Sequence, residues 1–438
     1  MKKKVYLLSL GCAKNLVDSE VMLGYLLQAG YHFVDKIEEA DIIIINTCGF
    51  IEPARQEARQ AINEALALKH QKPAIKIVVI GCYVERSREE LAKEFPSISV
   101  LSGVKDFPHI VNLIEGKKFT PSSQTFLYSH TTPRALATPP VWAYIKISEG
   151  CSHQCGFCTI PLIKGPYRSR PLESIINEIQ ALEAKGIIEI NLISHDTTYY
   201  GRDLGLRHGL ISLLENILGQ TSIPWIRILY GYPEEVSDDL LTLFQEKRIC
   251  PYLDLPFQHA HPRIIKMMGR GLDGSRSLRL IEKIRSKIPE IALRTSLIVG
   301  FPGETNHEFQ ALLDFVKQAE FDHLGVFTYS AERDTPNYSL GNPLSEKEKE
   351  RRREEVMRLQ AEISRQKNQR FLHQKLEVLC DEFMTNGQKF ILARTRYQAP
   401  EVDGIVYLRP GNPKYLNSLR QAVITSSGVY DLKGKIIK

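Results

Sequence analysis

Three short apolar runs near the start of the chain, residues 5–10, 42–45 and 77–80, have the length and composition of strands buried in a parallel sheet. Each precedes a stretch (16–27, 54–68 and 85–95) whose apolar positions recur every three or four residues opposite a charged face, which predicts crossover helices. The repeat predicts an open parallel α/β domain over residues 1–118. Residues 119–140, rich in Ser, Thr and Pro and without periodicity, read as a linker. Within 141–369, six strand patterns (142–147, 189–193, 226–230, 252–255, 293–299 and 325–329) alternate with helical ones such as 172–185, 238–245, 275–287 and 304–318. This series predicts a partial (βα)6 barrel, whose missing units leave a lateral opening suited to a macromolecular substrate. Residues 345–369 place Val356, Leu359 and Ile363 on one helical face and read as a helix lying on the barrel with its charges in solvent. From 370 to 438, runs at 376–380, 390–393, 405–408 and 421–425, parted by Asn386-Gly387, Asp403-Gly404 and Pro410-Gly411 turns, predict a small antiparallel β-barrel of the TRAM or OB-like kind.

Composition narrows the function classes without choosing one. At 438 residues, 43% hydrophobic and 25% charged, the chain is globular and neither disordered nor collagen-like. Its 57 basic and 51 acidic residues permit contact with a polyanion but form no dedicated nucleic-acid stripe. Residues 371–438 carry ten basic and six acidic residues, a balance that leans towards RNA. The basic start and short apolar run fall short of an export signal, and no run nears the ~18 apolar residues of a spanning helix. A cytoplasmic protein with no membrane contact and with reduced thiols is predicted.

Six of the eight cysteines occupy positions that invite metal chemistry. Cys151-Ser-His-Gln-Cys155-Gly-Phe-Cys158 follows the first barrel strand. Structural zinc needs four protein ligands, which this motif supplies only if His153 turns inward, whereas three thiolates suit a 4Fe-4S cluster with one open iron. Cys12, Cys48 and Cys82 lie one to three residues past the ends of three successive strands, 36 and 34 residues apart, on the binding edge of an open sheet. Cys250 and Cys380 lack such spacing and read as structural. Asp196 and the Tyr232-Pro-Glu234 turn follow barrel strands on the catalytic rim and are candidate binders of cofactor or substrate.

The CxxxCxxC motif with Phe157 before its last cysteine, atop a six-unit barrel, resembles the radical S-adenosylmethionine superfamily. With a second cysteine triplet on a preceding α/β domain and a terminal β-barrel, nearly the whole chain is similar to the methylthiotransferases. The resemblance implies that Cys151, Cys155 and Cys158 hold a 4Fe-4S cluster that cleaves S-adenosylmethionine to a 5′-deoxyadenosyl radical. Cys12, Cys48 and Cys82 would hold an auxiliary 4Fe-4S cluster carrying the sulfur to be installed. Two S-adenosylmethionine molecules per turnover are implied, with external sulfur and electron donors, the latter such as flavodoxin or ferredoxin. Phe157, His195, Asp196, Glu234, Gly300 and Phe301 are the implied cofactor-binding residues; Gly300-Phe-Pro-Gly-Glu304 would approach the ribose and adenine. The local text Gly11-Cys-Ala-Lys-Asn-Leu-Val-Asp-Ser-Glu20, Ile160-Pro-Leu-Ile-Lys-Gly165, Arg168-Ser-Arg170, Tyr252-Leu-Asp-Leu-Pro-Phe-Gln-His259 and Ala399-Pro-Glu-Val-Asp-Gly404 resembles the branch that methylthiolates the β-carbon of an aspartate in small-subunit ribosomal protein S-twelve. In that branch the last barrel grips protein, which makes Glu401 and Asp403 candidate substrate contacts. His195 stands where the branch usually has glutamine. The alternatives are a tRNA adenosine methylthiotransferase acting beside the anticodon and a zinc-stabilised RNA-binding protein without catalysis.

Overall fold

The computed structural model describes residues 3–385 and 389–437. Strands β1 (Lys4–Ser9), β2 (His32–Phe33), β3 (Ile42–Thr47), β4 (Lys76–Gly81) and β5 (Val100–Ser102) form an all-parallel sheet in the order β2-β1-β3-β4-β5. Among its helices, α1 (Ala13–Gln28), α2 (Glu52–Gln71), α3 (Cys82–Glu94) and α4 (Ile110–Glu115), the second and third cover one face and the first and fourth the other. Both faces being covered, Ile42 to Ile45 are all buried, which is why the strand reads as an unbroken apolar run.

The central unit contains β6 (Trp142–Lys146), a short antiparallel ribbon of β7 (Ser148–Glu149) and β8 (Arg168–Ser169), and then β9 (Glu189–Ile193), β10 (Trp225–Ile228), β11 (Ile249–Asp254), β12 (Ala292–Val299) and β13 (His323–Thr328). Its main sheet is parallel, ordered β13-β12-β11-β10-β9-β6, with β6 and β13 left as unpaired edges of an open seam. Helices α5 (Ile160–Lys164), α6 (Leu172–Glu183), α7 (Gly209–Gln220), α8 (Asp238–Leu243), α9 (Pro262–Met267), α10 (Gly274–Lys287), α11 (Asn306–Ala319) and α12 (Glu346–Asn368) connect and cover these strands. Side chains of Ser237, Asp273, Thr305 and Ser345 accept from backbone N–H groups to cap α8, α10, α11 and α12. No helix among the described residues is long and apolar enough to cross a membrane.

Strands β14 (Lys375–Met384), β15 (Phe390–Thr395), β16 (Val406–Leu408), β17 (Leu419–Ser427) and β18 (Leu432–Ile436) close into a barrel. It is antiparallel except for the parallel pair β16–β18, and β18 is a fifth strand beyond the four predicted. The predicted Asn386-Gly387 turn lies outside the described residues.

One expectation about charge is corrected, and the first helix departs from the usual crossover pattern. The polar face of α1 does not meet water: Lys14, Asp18 and Glu20 are as buried as Val17 and Met22, because α1 is sandwiched between its own sheet and the central barrel. The charges of α12 are not all solvated either, since Lys349 donates to Tyr329 O (2.8 Å) and Arg352 binds Glu304 (2.5 Å), both from buried positions. Residues 119–140 form no helix or strand, yet Arg134 locks this segment between the domains by donating to Glu20 (2.6 Å), Glu178 (2.5 Å) and Tyr144 O (2.7 Å).

Candidate active site

Cys12 caps the N-terminus of α1, Cys48 follows β3 and Cys82 opens α3, so three strand ends deliver three thiols to one rim. Tight backbone approaches bring them together. Gly11 has φ +91° and a Cβ there would fall 2.6 Å from Cys48 Cβ; Gly81 has φ +110° and a Cβ there would fall 2.5 Å from Asn46 Oδ1. Burial, reinforced by the charge of Cys12, pushes the Cys48 thiol up to about 11, and burial also raises Cys82, on which the charges of Cys48 and Cys12 act in the same direction. The Cys48 and Cys82 thiols stay protonated at neutral pH and would release protons on binding a metal group.

The second triplet occupies the loop after β7. Burial raises Cys151 to about 11 and Cys158 to about 12. The loop is clamped by Gly156 N donating to Met268 O (2.9 Å) and Asn337 N donating to Gly156 O (2.9 Å). Arg270 Nη1 stands 3.9 Å from Cys155 Sγ. His153 does not join the cysteines: its Nε2 is 2.5 Å from Asp196 Oδ2 and its ring stacks 3.9 Å from that of Tyr232, beside which the Arg270 guanidinium also lies at 3.9 Å. Asp196 further accepts from Thr198 Oγ1 (2.5 Å) and Tyr199 N (3.1 Å), so its carboxylate is spent on ordering the loop. Glu234 accepts from Gly271 N (2.9 Å), while its buried Oε2 makes no hydrogen bond.

The loops that carry the two triplets touch at one interface. Thr159 Oγ1, beside Cys158, donates to the carbonyl of Phe50, two residues past Cys48, at 3.4 Å. Asp18 on α1 binds Lys164 (3.0 Å) and Lys146, and both lysines also face Glu149 (3.6 and 2.7 Å). Lys14 projects its ammonium 3.2 Å from the Tyr230 ring centre. Burial, aided by Lys14, drives the His195 imidazole down to about 3, so it is neutral, and its buried Nδ1 has no partner. Zinc would draw thiolates to about 3.8 Å of one another. Among the described residues the ligand atoms gathered within 4.8 Å are those of His261, His307 and Glu308, and neither cysteine set is drawn in that far. Three wide-set thiolates on a glycine-lined rim fit a polynuclear cluster with an open corner better than a single ion.

Phe157 and Phe301 share one apolar cluster with Ile264, Met268, Ile298 and Tyr329, forming a dry wall beside the Cys158 loop. Gly300, expected to meet a nucleoside, has the Lys349 side chain packed where a Cβ would lie and donates its N–H to Glu304 (3.0 Å). Glu401, exposed and at φ +67°, accepts from Tyr144 Oη (2.9 Å). Asp403 does not present its carboxylate to a substrate: the side chain is buried, accepts from Tyr252 Oη and Ala399 N (both 2.7 Å), and fixes the loop 399–403 against the barrel. Cys250 and Cys380 are buried in apolar clusters, as a structural role requires. Sequence reasoning missed Lys14, Asp18, Lys146, Glu149, Lys164 and Arg270. It also missed that each cysteine of the first set has a glycine neighbour, Gly11, Gly49 or Gly81, a readable sign of crowded backbone.

Residues 4–103 match the Uncharacterized protein family UPF0004, residues 145–316 the Radical SAM superfamily and residues 374–437 the TRAM domain. A curated relative from Citrifermentans bemidjiense, named ribosomal protein uS12 methylthiotransferase RimO, is 42% identical over 443 residues, covering 100% of this chain and 99% of its own. One of the same name from Aquifex aeolicus is 42% identical over 433 residues, covering 99% and 97%. Among solved structures, the radical S-adenosylmethionine methyltransferase TsrM from Kitasatospora setae shares the fold at a TM-score of 0.53, with 16% identity over 77% of each chain.

Proposed function

Because the chain belongs to the RimO family of ribosomal protein uS12 methylthiotransferases, we propose that it places a methylthio group on the β-carbon of an aspartate of uS12. The observation that supports this reading is the meeting of two three-cysteine rims across one interface. Cys151, Cys155 and Cys158 would hold the 4Fe-4S cluster and S-adenosylmethionine of the radical superfamily, and Cys12, Cys48 and Cys82 a second cluster. When bound, the first group supplies one-electron cleavage of the sulfonium and the second the sulfur to be transferred; sulfur and electrons come from external donors.

The chain's own residues hold, orient and shield the reactants. Phe157 and Phe301 keep water from the place where a radical would form. The stack of His153 on Tyr232, anchored by Asp196, fixes the loop that carries the three barrel cysteines. Burial lowers the Lys14 ammonium, and a substrate carboxylate beside it would favour its charged form. A ribosomal substrate places this work in the cytoplasm.

Mass spectrometry of uS12 and of total tRNA from a deletion strain tests the reading. Loss of the methylthio group from uS12 is expected; its loss from tRNA with uS12 intact overturns the choice of substrate. A second test addresses the first rim. Gly11→Ala places a Cβ against Cys48 in a backbone conformation that alanine resists, so anaerobically reconstituted variant should carry about four iron atoms in place of about eight. About four iron atoms in the unaltered protein, or about eight retained when Cys12, Cys48 and Cys82 are all replaced by alanine, would show that the rim does not hold a cluster.

A further inference from the structure

Each reductive cleavage of S-adenosylmethionine to the deoxyadenosyl radical consumes one electron, which must reach the loop 151–158 from another molecule. One side of that loop is closed by the N-terminal domain, through Thr159 on Phe50 and through Arg55 and Arg86 on the buried Glu332 (2.7 and 2.5 Å). The other side is built by residues 262–287. Met268 O receives Gly156 N, Met267 O receives Asn337 Nδ2 (2.8 Å), and Arg270 reaches towards Cys155. Next to these contacts Ser152, Gln154 and Gly269 are exposed.

Residues 262–287 also concentrate the charge of the molecule. They hold eight basic and two acidic residues, a net of +6 that equals the net charge of the entire chain. Arg263, Lys266, Arg276 and Arg279 are exposed on α9 and α10. Arg263 and Arg276 pair with Glu308 and Asp273, whereas Lys266 and Arg279 have no ion pair among the described residues. A free cation beside the segment that holds the cysteine loop, with a second on the helix that follows, is what an anionic partner would recognise.

We infer that the exposed face of α9 and α10 is the docking surface of an acidic one-electron carrier protein of the flavodoxin or ferredoxin class. The inference rests on the radical function proposed above and adds where its electron enters. The carrier is oxidised by one electron and the bound cluster reduced by one, with no bond or proton moved at the contact. From this face the path to Cys155 runs through Arg270 and the Met267 to Gly269 backbone, without crossing the interface where substrate and the other cysteines meet. A nucleic acid is the less suited occupant, because α9 and α10 lie on the outer layer of the barrel, away from that interface.

The test uses the reconstituted full chain and the double variant Lys266→Glu/Arg279→Glu, with a reduced acidic flavodoxin or with dithionite as reductant. Flavodoxin-driven 5′-deoxyadenosine formation should fall at least about tenfold at low ionic strength and lose its salt dependence, while the dithionite-driven rate stays that of the unaltered protein. Binding of oxidised flavodoxin, which needs no turnover, should weaken in parallel. An unchanged flavodoxin rate, an equal loss with dithionite, or weakened binding of small ribosomal subunits with flavodoxin binding intact would each overturn the assignment. Unaltered protein that binds flavodoxin at this face, yet makes no deoxyadenosine with dithionite, would instead refute the radical reading and leave the docking surface standing.

Discussion

Cys48→Ala is expected to end methylthio transfer to uS12 while 5′-deoxyadenosine production remains measurable, whereas Cys155→Ala is expected to abolish both. The asymmetry follows from placement. Cys48 lies on the rim made by β1, β3 and β4, with Gly11 packed against it, and its removal leaves two thiols where three are needed. The loop of Cys151, Cys155 and Cys158 is held by α9 and Asn337, none of which the first rim supplies, so it should keep its shape when Cys48 is gone. Cys155 lies beside Arg270 in the loop that would cleave S-adenosylmethionine, upstream of every later step. Iron content, deoxyadenosine and methylthiolated peptide measured on the same preparations separate the outcomes. Deoxyadenosine lost in the Cys48 variant and kept in the Cys155 variant would mean that the two rims have exchanged roles.

The sequence disclosed what local pattern encodes. Strands β1, β3 and β4 were legible because both faces of a parallel sheet are covered, and the cysteines were legible because they end those strands. Strands β2 and β5, two and three residues long, fall below any periodic signal. In β18, Leu432, Gly434 and Ile436 point inward between two exposed lysines, but a glycine at the middle inward position weakens the alternation. The polar lining between the domains was illegible for a deeper reason. Asp18, Lys146 and Lys164 meet across separations of 128 and 146 residues, so each reads locally as an ordinary charge on a helix or strand. Likewise the role of Asp403 depends on Tyr252, 151 residues away, and nothing near position 403 announces it.

That hidden network carries the second large expectation: Asp18→Ala should uncouple the two halves of the reaction. Asp18 is buried on α1 and is the counter-ion of Lys146 on β6 and of Lys164 on α5. Burial works against charge on Glu149, yet Lys146 and Lys164 hold its carboxyl well below the ordinary range. Removing Asp18 leaves two buried ammonium groups facing that single carboxylate, and breaking a buried pair in this way costs about 3–5 kcal/mol. The cost is concentrated where α1 joins the barrel, and α1 begins at Cys12, so relaxation of the seam shifts the first rim relative to the second. Methylthio transfer should therefore fall far more than deoxyadenosine formation, and the thermal midpoint should drop by several degrees. Asp18→Asn, which keeps the size and loses the charge, should behave in the same way, and little dependence on ionic strength is expected because the network is out of reach of salt. Asp238, which binds Lys283 and Lys287 at the surface, provides the contrasting carboxylate, whose removal should leave the ratio of the two products unchanged. A fall in both products by the same factor for Asp18→Ala would show that its charge supports stability alone and does not hold the two rims in register.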